Sequence, residues 1–150
     1  MSRPETSAEL SALYQELILD HYRRPRNKGT LENADTSVEM KNPLCGDEIC
    51  LQINFEGSSV CDLRFAGRGC SISQASASMM TQLVKGKTAE EIAVLRGRFR
   101  DLMLGDKSAA DDQALGALRA LAGVARFPAR VKCALLAWSA LETALSERTV

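Results

Sequence analysis

Apolar positions change their period twice along this chain. In "SAELSALYQELILDHYRRPRN", Leu10, Leu13, Leu17 and Ile18 recur at helical spacing, which predicts an opening helix that ends before Pro25. Residues 27–47 are rich in Gly, Asn, Pro and Asp and read as loop, with a short strand around residues 38–40. The period then falls to two. In "EICLQINFEG", Ile49, Leu51, Ile53 and Phe55 alternate with Cys50, Gln52 and Asn54; after an "EGSS" turn, "VCDLRFAGRG" alternates again, with Cys61, Leu63 and Phe65 on one face. These two runs predict an antiparallel hairpin.

Beyond Cys70 the pattern is helical to the end. "SISQASASMMTQLVKG" predicts a helix of small residues that stops at Gly86. "TAEEIAVLRG" opens with a capping box, Thr88 followed by Glu91. "DDQALGALRALAG" carries Leu115, Leu118 and Leu121, with Gly123 as the expected C-cap. "FPARVKCALLAWSALETALSE" predicts the last helix, with Pro128 in its first turn. Val131, Leu135, Trp138 and Leu145 form its core stripe, and Cys133, Ala137 and Ala140 lie on a separate small-residue face. The expectation is a single α+β domain over residues 1–150, a small antiparallel β-sheet packed against several α-helices.

Charge narrows the partners. Nineteen basic and nineteen acidic residues cancel, which removes the electrostatic case for nucleic acid or a membrane surface as partner. No apolar run approaches the roughly 20 residues that cross a bilayer. "MSRPETSAEL" lacks the apolar core of a signal peptide, so a cytoplasmic location is expected.

Five cysteines (Cys45, Cys50, Cys61, Cys70, Cys133) then stand out. In a reducing compartment they point to metal binding or thiol chemistry rather than disulfides. There is no C-x-x-C pair, so a metal site has to be assembled from distant segments. Cys50 and Cys61 fall inside strands and read as structural. Cys45, in "PLCGD", Cys70, after "AGRG", and Cys133, near the start of the last helix, sit at element ends, where loops present reactive groups. Two of the three are near helix N-termini, which favour a thiolate. Tetrahedral zinc needs a fourth donor. Asp47 is the candidate, because the intervening Gly46 tolerates a tight bend; the alternative is that Asp47 caps its turn.

"NPLCGD", "GRGCSISQASASMMTQLVKGK" and "FPARVKCALLAW", with "YQELILDHYRRPRNKG" near the start, closely resemble the SufU branch of the IscU-like iron–sulfur cluster assembly proteins. Two features select that branch. The interval from Cys70 to Cys133 is 133 − 70 = 63 residues, longer than in IscU scaffolds, so a family-type helical insertion is expected around 104–124. Lys132 also stands where scaffolds carry a histidine. The resemblance implies zinc held by Cys45, Asp47, Cys70 and Cys133, with Cys45 as the sulfur acceptor. It implies a sulfurtransferase that takes persulfide sulfur from a PLP-dependent, SufS-like cysteine desulfurase and passes it to the downstream Suf cluster assembly complex. In that family a desulfurase histidine enters the zinc shell and frees the first cysteine, and Arg130 matches an arginine that contacts the partner. His21 resembles a family position but is expected to be a surface or helix-end residue. Two other functions compete: a scaffold holding a transient iron–sulfur cluster on the same cysteines, and a zinc-stabilised interaction module without sulfur chemistry.

Overall fold

The computed structural model describes residues 7–43 and 46–148. Three strands form one antiparallel sheet in the order β1 (Thr36–Asn42), β2 (Asp47–Glu56), β3 (Ser59–Arg68). Around it lie α1 (Ser7–Arg23), α2 (Ser71–Val84), α3 (Ala89–Met103), the one-turn α4 (Lys107–Ala110), a 3₁₀ segment (Gln113–Arg126) and α5 (Pro128–Arg148). This is the expected α+β architecture, with a strand β1 longer than the three residues read from the pattern.

Alternation dictates how the sheet faces. Asp47, Ile49, Leu51 and Ile53 of β2 are all buried, while Cys50, Gln52 and Asn54 are half-buried on the opposite face. The inner face meets α5 across β1 and β2 and α2 across β3. The outer face pins the preceding loop: the Gln52 and Asn54 side-chain oxygens accept from the Leu31 and Asp35 N–H groups at 2.7 and 2.8 Å.

The hairpin forms as expected, but Cys61 does not share a face with Leu63 and Phe65. The register shifts between Asn54 and Phe55, so that Asn54 faces Asp62 and Phe55 faces Val60. Cys61 is the residue left over. A bulge inverts the parity on its far side, so Val60 is buried and Cys61 is exposed.

Helices α2 and α3 start where a side chain satisfies their free N–H groups. Cys70 caps α2, and Thr88 with Glu91 completes the capping box of α3. Pro128 opens α5, where its missing N–H costs nothing. Helix α5 is buried more widely than its expected stripe, since Cys133, Ala137 and Ala140 are as buried as Trp138. Their small side chains suit the close approach of α2, whose Ser76 Oγ donates to the Ala134 carbonyl at 2.7 Å. Trp138 stacks on Phe99 of α3, with centroids 5.5 Å apart, a geometry that adds to plain apolar burial.

Residues 104–124 depart most from the helical expectation. Leu115, Leu118, Leu121 and Val124 are buried at a strict interval of three. That repeat matches the three residues per turn of a 3₁₀ helix, in which i and i+3 side chains eclipse. Gly116, at φ 52 and ψ −129, breaks the run. Gly123 is not a C-cap: the segment continues to Arg126, and Phe127 closes it by donating its N–H to the Val124 carbonyl at 2.9 Å. Arg98 of α3 secures this region through Asp112 at 2.8 Å.

Helix α1 is less deeply seated than its stripe suggests. Leu17 and Ile18 are half-buried, Leu13 is 50% exposed, and the Leu10 side chain lies outside the described residues. Its firm anchor is His21, expected at the surface or at a helix end: it does lie in the last turn of α1, but it is buried. His21 is 2% exposed and shares a 2.7 Å hydrogen bond between Nδ1 and Ser78 Oγ of α2. Ser78 Oγ also accepts the Arg26 N–H at 2.8 Å. Burial lowers the His21 pKa below the ordinary histidine value; the nearby Arg26 charge adds to this and Asp20 opposes it.

Candidate metal centre

Three elements deliver one donor each to the inner end of the sheet. Asp47 is the first residue of β2 and belongs to its buried row, at 1% exposure. Gly46 precedes it at φ 70, and its N–H closes the turn on the Asn42 carbonyl at 2.9 Å. That left-handed backbone is one glycine adopts freely. Cys70 follows β3 and caps α2, and Cys133 lies in the second turn of α5. A carboxylate oxygen of Asp47 and the sulfurs of Cys70 and Cys133 all lie within 4.8 Å of one another.

The Asp47 carboxylate is fixed by the Cys70 backbone. Oδ1 accepts the Cys70 N–H at 2.9 Å, and Oδ2 stands 3.8 Å from Cys70 Sγ. The Cys70 sulfur in turn accepts from the Ser73 N–H at 3.5 Å, and Ser73 Oγ donates to the Cys70 carbonyl at 3.1 Å. An N-terminal helix amide pointing at sulfur stabilises negative charge there. Cys133 is 1% exposed, with its Sγ 3.7 Å from the Ala129 carbonyl in the preceding turn.

Two thiols and a carboxylate from separate elements suit a small divalent cation of borderline softness. Bonds of about 2.0–2.3 Å around a tetrahedral ion put donor atoms about 3.3–3.8 Å apart, and the Cys70–Asp47 separation of 3.8 Å lies at the upper end of that range. Of the expected shell, the structure brings Asp47, Cys70 and Cys133 together, whereas Cys45 lies outside the described residues. Cys50 and Cys61 do not join it. Cys50 sits on the outer face, with its sulfur 3.7 Å from Ser37 Oγ.

An open groove of about 770 Å³ adjoins the cluster. Ile18, Ile72, Val124 and Phe127 line it, together with Ser71, next to Cys70, and Arg130, one turn before Cys133. Arg130 is exposed and, among the described residues, makes no ion pair. Lys132 is exposed as well.

Sequence reasoning passed over Gly69, Ser73 and Ser78. Ser73 was legible as a hydroxyl three residues after an N-cap. Gly69 and Ser78 act across distances that no local pattern encodes.

Fold and donors together define a small α+β protein with a buried thiol–carboxylate cluster at one end of its sheet. The chain belongs to the NifU-like N-terminal domain family, whose model matches residues 13–134. It is 50% identical to the zinc-dependent sulfurtransferase SufU of Bacillus subtilis (strain 168), over 94% of this chain and 95% of that protein. It is 43% identical to the iron–sulfur cluster assembly scaffold protein IscU of Streptococcus pyogenes serotype M1, over 92% of this chain and 86% of that one. A crystal structure of a putative iron–sulfur cluster assembly scaffold protein for the SUF system from Fervidobacterium islandicum superposes with a TM-score of 0.81. It is 38% identical and covers 93% of this chain and 99% of that chain.

Proposed function

We propose that this protein is a zinc-containing sulfur acceptor and carrier for iron–sulfur cluster assembly. Cys45, Asp47, Cys70 and Cys133 are the zinc donors, and Cys45 is the residue that takes up sulfur. The observation that carries this reading is the convergence of Asp47, Cys70 and Cys133 within 4.8 Å. It is supported by the 50% identity to a protein named a zinc-dependent sulfurtransferase.

When bound, zinc supplies thiolates at neutral pH and one position open to exchange. The chain's own residues do the rest. Cys70 and Cys133 issue from regular elements and anchor the shell, and Asp47 is held by the Cys70 N–H. Cys45 lies in sequence between β1 and β2, outside any regular element, and is the donor that leaves. Its thiolate attacks the outer sulfur of a persulfide on the desulfurase cysteine. An S–S bond forms to Cys45, the bond to the desulfurase cysteine breaks, and that cysteine departs as a thiolate. The sulfur keeps its oxidation level, so no external oxidant is consumed. Arg130, exposed at the groove beside the cluster, contacts the desulfurase, a PLP-dependent SufS-like enzyme. The protein acts in the cytoplasm.

Adding the zinc-loaded protein to a cysteine desulfurase should raise its turnover, and Cys45→Ala should abolish that gain while leaving the domain folded. Stimulation by Cys45→Ala equal to wild type would sink the role of Cys45. The scaffold reading draws support from the 43% identity to a named scaffold. Anaerobic reconstitution would favour it by giving a stoichiometric, transferable cluster that excess zinc does not displace.

A further inference from the structure

Two glycines flank Arg68 between β3 and α2, and they answer different needs. Gly67 has φ 125, and a methyl there would run into the backbone carbonyl of Glu48 on β2. Its conformation and its contact both concern the main chain. Gly69 is not among the residues of positive φ, so its backbone is one that alanine adopts without strain. What alanine would meet is side chain. A methyl at 69 would overlap Asp47 Oδ1 and Ser73 Oγ and stand 2.9 Å from Asp47 Cγ.

We propose that Gly69 is a positioning residue for the metal centre: its missing side chain is the space the Asp47 carboxylate occupies. The inference rests on the reading of Asp47 as a metal donor. With that space open, Asp47 Oδ1 reaches the Cys70 N–H at 2.9 Å and Oδ2 lies 3.8 Å from the Cys70 sulfur. One oxygen is therefore committed to the backbone and the other faces the donor cluster, an arrangement for binding through a single oxygen. Alanine at 69 displaces the carboxylate, takes Oδ1 off the Cys70 N–H and turns Oδ2 away from the sulfurs. Cys70 remains the N-cap of α2 and Cys133 remains in the second turn of α5, so both sulfurs stay available to the ion.

Cobalt(II) substitution of the full-length chain tests this, since thiolate charge-transfer bands and ligand-field bands report sulfur and oxygen donors separately. In Gly69→Ala the charge-transfer bands should persist while the ligand-field bands match those of Asp47→Ala. Zinc affinity, read by chelator competition, should fall about ten- to a hundred-fold, the usual effect of losing a group that orients a ligand. Adding Ser73→Ala removes the second overlap and should not restore the wild-type spectrum. A wild-type spectrum and affinity in Gly69→Ala would overturn the proposal, as would their recovery in the Gly69→Ala, Ser73→Ala pair. If Asp47→Ala itself keeps the wild-type spectrum, the fault lies in the reading of Asp47 as a donor. Should Gly69→Ala prove too unstable to purify, Gly69→Ala combined with Asp47→Ala decides. Unfolding at the temperature of Asp47→Ala alone supports the proposal, and instability that persists without the carboxylate overturns it.

Discussion

The two ends of the β2–β3 hairpin use the same residue types to opposite effect. At the inner end, Asp47 and Cys70 are brought together by the start of β2 and the end of β3, and Cys133 joins them from α5. Near the turn, Cys61 and Asp62 are neighbours in sequence, yet Cys61 is exposed on a bulge, and the Asp62 carboxylate is taken up by Arg64 and Lys85. An aspartate beside a cysteine is therefore not a site. What separates the two ends is convergence of donors from several elements, with Asp47 and Cys133 buried and Cys70 half-buried.

That contrast predicts very unequal responses to substitution. Cys133→Ser should take zinc content from about one equivalent toward none by elemental analysis of the purified protein, while Cys61→Ser leaves it unchanged. Comparable loss in both variants would break the comparison. Ser78→Ala extends it to another buried polar contact. By stranding His21 Nδ1 and the Arg26 N–H, it should cost about 1–3 kcal/mol in urea unfolding. Asp62→Ala removes half-exposed ion pairs and should cost about 1 kcal/mol or less in the same assay.

The smallest effect concerns pH. The folded-state pKa of His21 lies below its ordinary value near 6.5. As pH falls through that value, the unfolded chain takes up a proton before the folded one does. The stability present above about pH 6.5 then declines toward the lower folded-state pKa. The melting temperature of the metal-free protein should fall on acidification, and the fall should be shallower in His21→Gln. Equal slopes would remove His21 as the cause.

What the sequence conveyed follows from how local each signal is. Alternation in β2 gave the sheet, and carried back two positions from Ile49 it places Asp47 on the apolar face, an anomaly that already marks a buried carboxylate. The capping box at Thr88 and the proline opening α5 are local chemistry and appeared as read. The leucines at 115, 118 and 121 fall in a helix as read, but its 3₁₀ type was not legible because periods of 3.0 and 3.6 diverge little over two turns. Cys61 was misplaced because a bulge leaves no trace in alternation until the partner strand is known. His21 is at a helix end as read, but its burial was hidden because its partner Ser78 lies 57 positions away. The donor cluster was legible as separate motifs. Their meeting depends on three elements packing at one end of a sheet, which no spacing along the chain expresses.

The placement of Cys70 and Cys133 on different helices bears on the unfolded chain as well as on the site. An ion bridging them closes a loop of 133 − 70 = 63 residues. By the chain-entropy estimate used for disulfides, such a cross-link removes about 4 kcal/mol of freedom from the denatured ensemble. In the proposed shell Cys45 would close only a short ring with Asp47, so its release would forfeit almost none of that restraint. A shell of the proposed kind would release its sulfur acceptor while the long loop between the two helices stayed shut.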